Sequence, residues 1–185
     1  MKKIILAAFV AVASLSANAQ VWVGGELGLG TSKSTDNGVQ DGKSNYAVVI
    51  PEIGYKINDK FDVAVAVGFY HRDSQGAENS PKSVYNSFKL MPYVRYSAIK
   101  AGDFSFFLDG GFAYENGKYA GAENKTNSWE IFIKPGISYN ISEKVTLVAH
   151  VGNLSYDFTK TGDYKTNSFG LSIDNGISFG AYVNF

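Results

Sequence analysis

Few side chains in this sequence are equipped for chemistry. Histidine, the residue best suited to proton transfer near neutral pH, occurs only as His71 and His150. Cysteine is absent, so there is no thiolate nucleophile and no disulfide. A catalytic triad would need one imidazole to meet a hydroxyl and a carboxylate from distant segments, and no local motif around either histidine marks such a set. Gly24, Gly25, Gly28 and Gly30 have the density of a phosphate-binding loop, but no helix follows them and the lysine such a loop uses is missing. Asp36, Asp41, Asp157 and Asp163 lack the regular ligand spacing of a calcium loop. The sequons at Asn124 and Asn153 read as loop and strand polarity. The sequence therefore assigns no catalytic residue, no metal and no cofactor.

A larger set of charges is arranged by period. Phe61, Val63, Val65, Val67 and Phe69 alternate with Asp62, Ala64, Ala66, Gly68 and Tyr70, the signature of a two-faced strand. The same parity sets Phe104, Phe106, Leu108, Phe112 and Tyr114 against Ser105, Asp109, Gly111 and Glu115. It recurs with Trp129, Ile131, Ile133, Ile137 and Tyr139 against Glu130, Lys134 and Ser138. Glu52, Lys56, Asp62, Lys89, Arg95, Asp109, Glu130, Lys134 and Asp174 are assigned to the non-apolar face. Mixed in sign and enclosed, they must pair, because an unpaired buried charge is costly. Parity puts His71 on the apolar face near one rim and His150 on the charged face.

The elements that position these residues number eight. Besides those three, strands are expected at 21 to about 31, 46–57, 84–98, 145 to about 156, and 168–185. The expected connections alternate between short turns at 58–60, 100–103 and 142–144 and long polar loops at about 33–44, 73–83, 116–127 and 157–167. A repeat supports this count: Pro51, Pro92 and Pro135 each open an alternating segment that ends at a short turn. Proline donates no ladder hydrogen bond, so bulges near one rim are expected there. Asp174, Asn175 and Gly176 could form either a bulge or a turn, and the bulge keeps the count at eight.

Residues 1–19 have the plan of a cleaved signal peptide: Lys2 and Lys3, an apolar run from Ile4 to Leu15, then Ala17, Asn18 and Ala19. Residues 20–185 then form one domain. Without cysteine, acylation cannot anchor it. Without Lys2 and Lys3 the 17 basic residues of the chain become 15, against 17 acidic ones, a balance that leaves no electrostatic footprint for nucleic acid. After the signal, no stretch approaches the roughly 18 apolar residues of a spanning helix, so any crossing must use strands. The 20 Gly, 12 Tyr and 13 Phe suit a β-rich chain.

Alternation alone does not say which face points inward. A soluble barrel would bury the apolar face, whereas here Glu52, Lys56, Lys89, Arg95, Glu130 and Lys134 suit a narrow polar lumen better than a ligand cavity. Tyr55, Phe61, Tyr96, Phe104, Tyr114, Trp129 and Tyr139 stand near strand ends, where the aromatic girdles of a membrane barrel belong. The terminal alternation of Ile177, Phe179, Ala181, Val183 and Phe185 resembles the insertion signal of outer-membrane barrels, which assembly machinery reads in those proteins. Over residues 20–185 the chain resembles the outer-membrane protein β-barrel domain family, the small OmpA/OmpX-like barrels.

The expectation is an all-β, closed, antiparallel, up-and-down transmembrane barrel of about eight strands in the bacterial outer membrane, non-enzymatic and monomeric. Its partners are outer-membrane lipid, the barrel-assembly machinery during insertion, and an extracellular ligand bound through loops. The role is structural or one of surface interaction and adhesion. A small gated pore and a lipid-modifying enzyme remain as alternatives, the latter signalled by His150 meeting an acid and a hydroxyl at one rim.

Overall fold

The structure is a computed structural model that describes residues 20–36, 39–77 and 80–185, with only the backbone path described at 36, 39, 40 and 172–177. The expected signal segment and the side chains of Asp174 and Ile177 lie outside the described residues. The strands are β1 (Val21–Asp36), β2 (Val39–Lys56), β3 (Phe61–Gln75), β4 (Ser83–Ala101), β5 (Phe104–Tyr119), β6 (Thr126–Asn140), β7 (Val145–Thr161) and β8 (Tyr164–Asn184). They close in sequence order into one antiparallel barrel. Closure is what a membrane demands, since an open edge in hydrocarbon would leave backbone groups unpaired at several kcal/mol each.

Outward-facing side chains form an apolar band bounded by two aromatic belts. Phe61 packs on Tyr96 at 5.1 Å between ring centroids and Phe104 on Tyr139 at 4.6 Å near the short turns. Phe69 meets Phe88 at 5.6 Å, and Trp129 meets Phe112 at 5.3 Å and Tyr114 at 4.4 Å, toward the other end. Val63, Val65, Leu90, Phe106, Leu108, Ile131 and Ile133 lie between the belts, exposed on the outside of the wall. A concavity of about 810 Å³ indents this wall between Ile53, Val65, Pro92, Val94 and Phe112, where Gly110 contributes no side chain.

The strands run on well past the upper belt. β3 has 15 residues and β8 has 21, whereas a tilted spanning strand needs only about 9–11. The expected long loops at 33–44 and 157–167 are thus largely ladder and that at 116–127 is half so, whereas at 73–83 the connection between Gln75 and Ser83 is a loop as expected. Beyond the membrane the outward residues become polar, which ends the apolar alternation but not the backbone pairing. Side chains continue the pairing in water: Thr31 Oγ1 donates to Asn45 Oδ1 (2.8 Å), Asn116 Nδ2 to Asn127 Oδ1 (2.7 Å), and the hydroxyls of Ser128 and Thr159 lie 2.8 Å apart.

The prolines sit mid-wall and not at a rim, and only one marks a bulge. Pro51 pairs with Gly25 and Pro92 with Val65 in unbroken register. At Pro135 the β6–β7 register slips between Ile133 and Gly136. Where the first two lack a donor the ladder simply skips a rung, as β4–β5 does between Leu90↔Tyr114 and Tyr93↔Gly111. β8 continues through 174–176 as one strand. It absorbs the extra residues as a register shift opposite Gly152, between Val151↔Ile177 and Asn153↔Ser172.

The seam that closes the barrel is short. The β1–β8 ladder runs only from Trp22↔Asn184 to Glu26↔Gly180, while β1–β2 runs from Val21↔Tyr55 to Asp36↔Val39.

Candidate functional site

The interior of the barrel is the site that the alternation constructs. Arg95 and Asp109 face each other across the β4–β5 ladder, and both are buried. Arg95 donates from Nε to Asp109 Oδ1 (2.7 Å) and from Nη2 to Oδ2 (2.8 Å), a bidentate pair. The guanidinium lies 3.9 Å over the Phe107 ring, with the Trp22, Tyr182 and Tyr93 rings within 5.5, 5.2 and 5.8 Å. Four aromatic faces thus replace much of the hydration that the cation would have in water.

His150 extends this pair. Its Nε2 lies 2.7 Å from Asp109 Oδ2 and its Nδ1 2.7 Å from Glu26 Oε1. An imidazole satisfies both contacts only when both nitrogens carry a hydrogen. Glu52 accepts from Tyr93 (2.5 Å) and from Tyr182 (3.3 Å). Nearer the outer end, Lys89 Nζ is 2.5 Å from Glu130 Oε2, and Asn153 donates to the other oxygen of that carboxylate (3.1 Å). Toward the short turns, Trp22 Nε1 donates to Asp62 (3.1 Å), whose cross-strand partner is Lys56.

Between these groups lies a cavity of about 50 Å³, bordered by Glu26, Glu52, Asp109, Lys134 and His150. That is room for a few water molecules and not for a passage.

The chain matches the family model of the outer membrane protein beta-barrel domain over residues 4–174. The chain belongs to the outer membrane protein beta-barrel domain family. The fold of this outer-membrane barrel is similar to that of Neisserial surface protein A, at 18% identity and a TM-score of 0.58, covering 89% of this chain and 97% of that one. It is likewise similar to OprG from Pseudomonas aeruginosa, at 16% identity and a TM-score of 0.56, covering 90% and 96%. At such identities the likeness is one of fold. No curated protein matches the chain. The protein is an integral β-barrel of the bacterial outer membrane.

Within this outer-membrane barrel the charges named from sequence separate into groups. Glu52, Arg95, Asp109 and Glu130 are buried, and Lys89, Asp62 and Lys134 are partly so. Lys134 forms no ion pair among the described residues, and its Nζ lies 4.7 Å over the Phe132 ring. Lys56 is exposed at the mouth. Of the terminal residues, Phe179, Ala181, Val183 and Phe185 stand exposed on the outer wall. His71 is exposed too, with Nδ1 2.7 Å from Asn86 Oδ1.

Sequence reasoning missed Glu26 and the lumen rings Trp22, Tyr93, Phe107, Phe132 and Tyr182. A signal for the rings exists: each stands directly across a ladder from a lumen glycine. The pairs are Trp22↔Gly54, Tyr182↔Gly24, Phe107↔Gly136, and Tyr93 and Phe132 on either side of Gly111. A Cβ added at any of these glycines would run into the facing ring. A narrow lumen has room for one large side chain per pair.

Proposed function

We propose that this outer-membrane barrel is a closed scaffold that presents its projecting hairpins for interaction at the cell surface, not a conduit. The observation that carries this reading is the lumen. Arg95 with its partner Asp109, His150 on that same carboxylate, and the rings of Trp22, Phe107 and Tyr182 pack the lumen, and among the described residues the cavity beside Lys134 is small. The hairpins above the upper belt are then the accessible part, rigid because they continue the barrel ladder, and exposed segments on a rigid scaffold are where binding commonly resides.

A non-enzymatic reading accords with His150, whose two ring nitrogens both face carboxylates and so offer no base to a hydroxyl. Residues 1–19 as a cleaved signal, the exposed Phe179, Ala181, Val183 and Phe185 as the mark read by assembly machinery, and a monomeric state complete the proposal.

The test is planar-bilayer conductance of the reconstituted protein beside Lys89→Ala and Glu130→Ala variants. Silence from the unmodified protein is the expected result. Discrete steps that change with either variant would replace this reading with a gated pore controlled by the Lys89–Glu130 pair.

A further inference from the structure

Side-chain size, row by row along the ladders, builds the indentation in the outer wall. Tyr55↔Val63, Val63↔Val94 and Val94↔Gly110 make one outward row across β2 to β5, and Ile53↔Val65 and Val65↔Pro92 make the next. The middle of both rows carries short side chains or none. On the short-turn side stand Phe61, Tyr96 and Leu108, and on the opposite side Leu90 and Tyr114. Two ridges of long side chains thus enclose a floor of Val63, Val65, Pro92, Val94 and Gly110. A Cβ added at Gly110 would meet no atom within 4 Å, so the floor is open there.

The groove has a direction. It starts at Gln20 and Val21, where Val21↔Tyr55 closes the β1–β2 ladder at the short-turn rim, and it reaches Phe112, which packs on Trp129 of the upper belt. Its volume of about 810 Å³ lies within the range of about 300–1,000 Å³ typical of small-molecule sites. The outward lining is apolar except at the rim. There Tyr55 donates its hydroxyl hydrogen to Gln20 Oε1, which leaves the amide hydrogens of Gln20 available to an acceptor. Polar groups therefore stand where lipid ester and phosphate oxygens lie, and apolar ones where the chains lie.

A water-soluble partner cannot reach a surface between the aromatic belts. A second copy fits no better: a two-fold interface sets the same patch against itself, and concave against concave leaves a void whose walls lose their contacts. We propose that the groove holds one acyl chain of a glycerophospholipid of the periplasmic leaflet. The chain lies across β3, β4 and β5 on Val63, Val65, Pro92, Val94 and Gly110, with the ester and phosphate oxygens beside Gln20 and Tyr55. The short turns put that polar end in the periplasmic leaflet. The second chain stays in the bilayer and keeps the headgroup at the rim. Lipid tails are as apolar as the wall, so retention rests on the contacts that a fixed groove makes with the chain, not on hydrophobic transfer. The site lies outside the lumen and is independent of whether the barrel conducts.

The experiment is native mass spectrometry of lipid retained by the full protein after release from nanodiscs of palmitoyl-oleoyl phosphatidylethanolamine that also contain oleic acid. Four proteins are compared: unmodified, Gly110→Leu, Val63→Phe, and an Ala149→Leu control. Gly110→Leu and Val63→Phe fill the floor at two different strands. Ala149 stands on the lipid-facing side of β7, opposite Ile137 and away from the groove. Heat-modifiable gel migration establishes that each protein is folded.

The unmodified protein and the control are expected to retain a single phospholipid. Each floor-filling variant is expected to retain about fivefold less or lower still, since a side chain in the groove takes the place of the chain's contacts. Equal retention by all four proteins, or equal loss in the control, would overturn the proposal. So would retention of oleic acid in place of the phospholipid, or a dimer mass that Gly110→Leu abolishes.

Discussion

Replacing Asp109 by Asn keeps the shape of the side chain and removes its charge. Asp109 is 2% exposed, accepts two hydrogen bonds from Arg95, and lies within 2.7 Å of His150 Nε2. The substitution leaves the Arg95 guanidinium, 5% exposed, enclosed by rings with no anion in contact. Removing one member of a buried ion pair costs about 3–5 kcal/mol. Since about 1.4 kcal/mol is a factor of ten, the folding equilibrium should weaken by about a hundredfold to a few thousandfold.

The assay is urea-induced unfolding in lipid vesicles, read by gel migration and by tryptophan fluorescence, for Asp109→Asn, Arg95→Met and the double variant. The double variant should lose less than the sum of the two single losses, by about 2 kcal/mol or more, because the stranded charge is gone. Additive losses, or a single-variant loss below about 1 kcal/mol, which is the scale of an exposed pair, would refute the view that this pair is a buried organiser of the lumen.

Leu108→Arg places a charge on the lipid-facing wall between the aromatic belts, and should cost about 2–4 kcal/mol in the same vesicle assay; a neutral outcome would overturn the facing of β5. Gly54→Val puts a branched side chain into the Trp22 ring, and should destabilise by about 1–3 kcal/mol with a shift in tryptophan emission; an unchanged spectrum would mean that the lumen is not packed as described.

The barrel itself was legible because the bulky apolar residues of 61–69, 104–114 and 129–139 recur with a period of two opposite a charged face, interrupted only by rings such as Phe107 and Phe132, and that pattern leaves few other arrangements. Strand ends were not legible. The hydrophobic signal stops at the membrane boundary, while ladders such as Thr31↔Asn45 and Ser128↔Thr159 continue in water on hydroxyl and amide pairs. The charged lumen was legible as a set of residue types, but not as a set of partners.

That Asp109 would join Arg95 to His150, or that Lys134 would rest on a ring, depends on register and shear, which single-strand parity does not carry. The lumen rings were hidden for a simpler reason. In a membrane barrel large apolar residues read as lipid-facing by type, and only their parity and the glycines opposite reveal Trp22, Phe107 and Tyr182 as inward. Lys56 shows the converse, a charge of lumen parity that lies at the mouth in water.

The brevity of the β1–β8 seam bears on the order in which the molecule can assemble. Every other ladder joins strands adjacent in the chain and can form as a local hairpin, whereas Trp22↔Asn184 must bring together residues from opposite ends of the barrel sequence. Loop-closure entropy therefore falls almost entirely on the last ladder, and the chain meets that cost with its shortest one. The stacking of Trp22 on Tyr182, at 4.3 Å, gives this late contact an apolar latch inside the wall. A chain with that latch weakened should build the sheet at its ordinary rate and stall as an unclosed one.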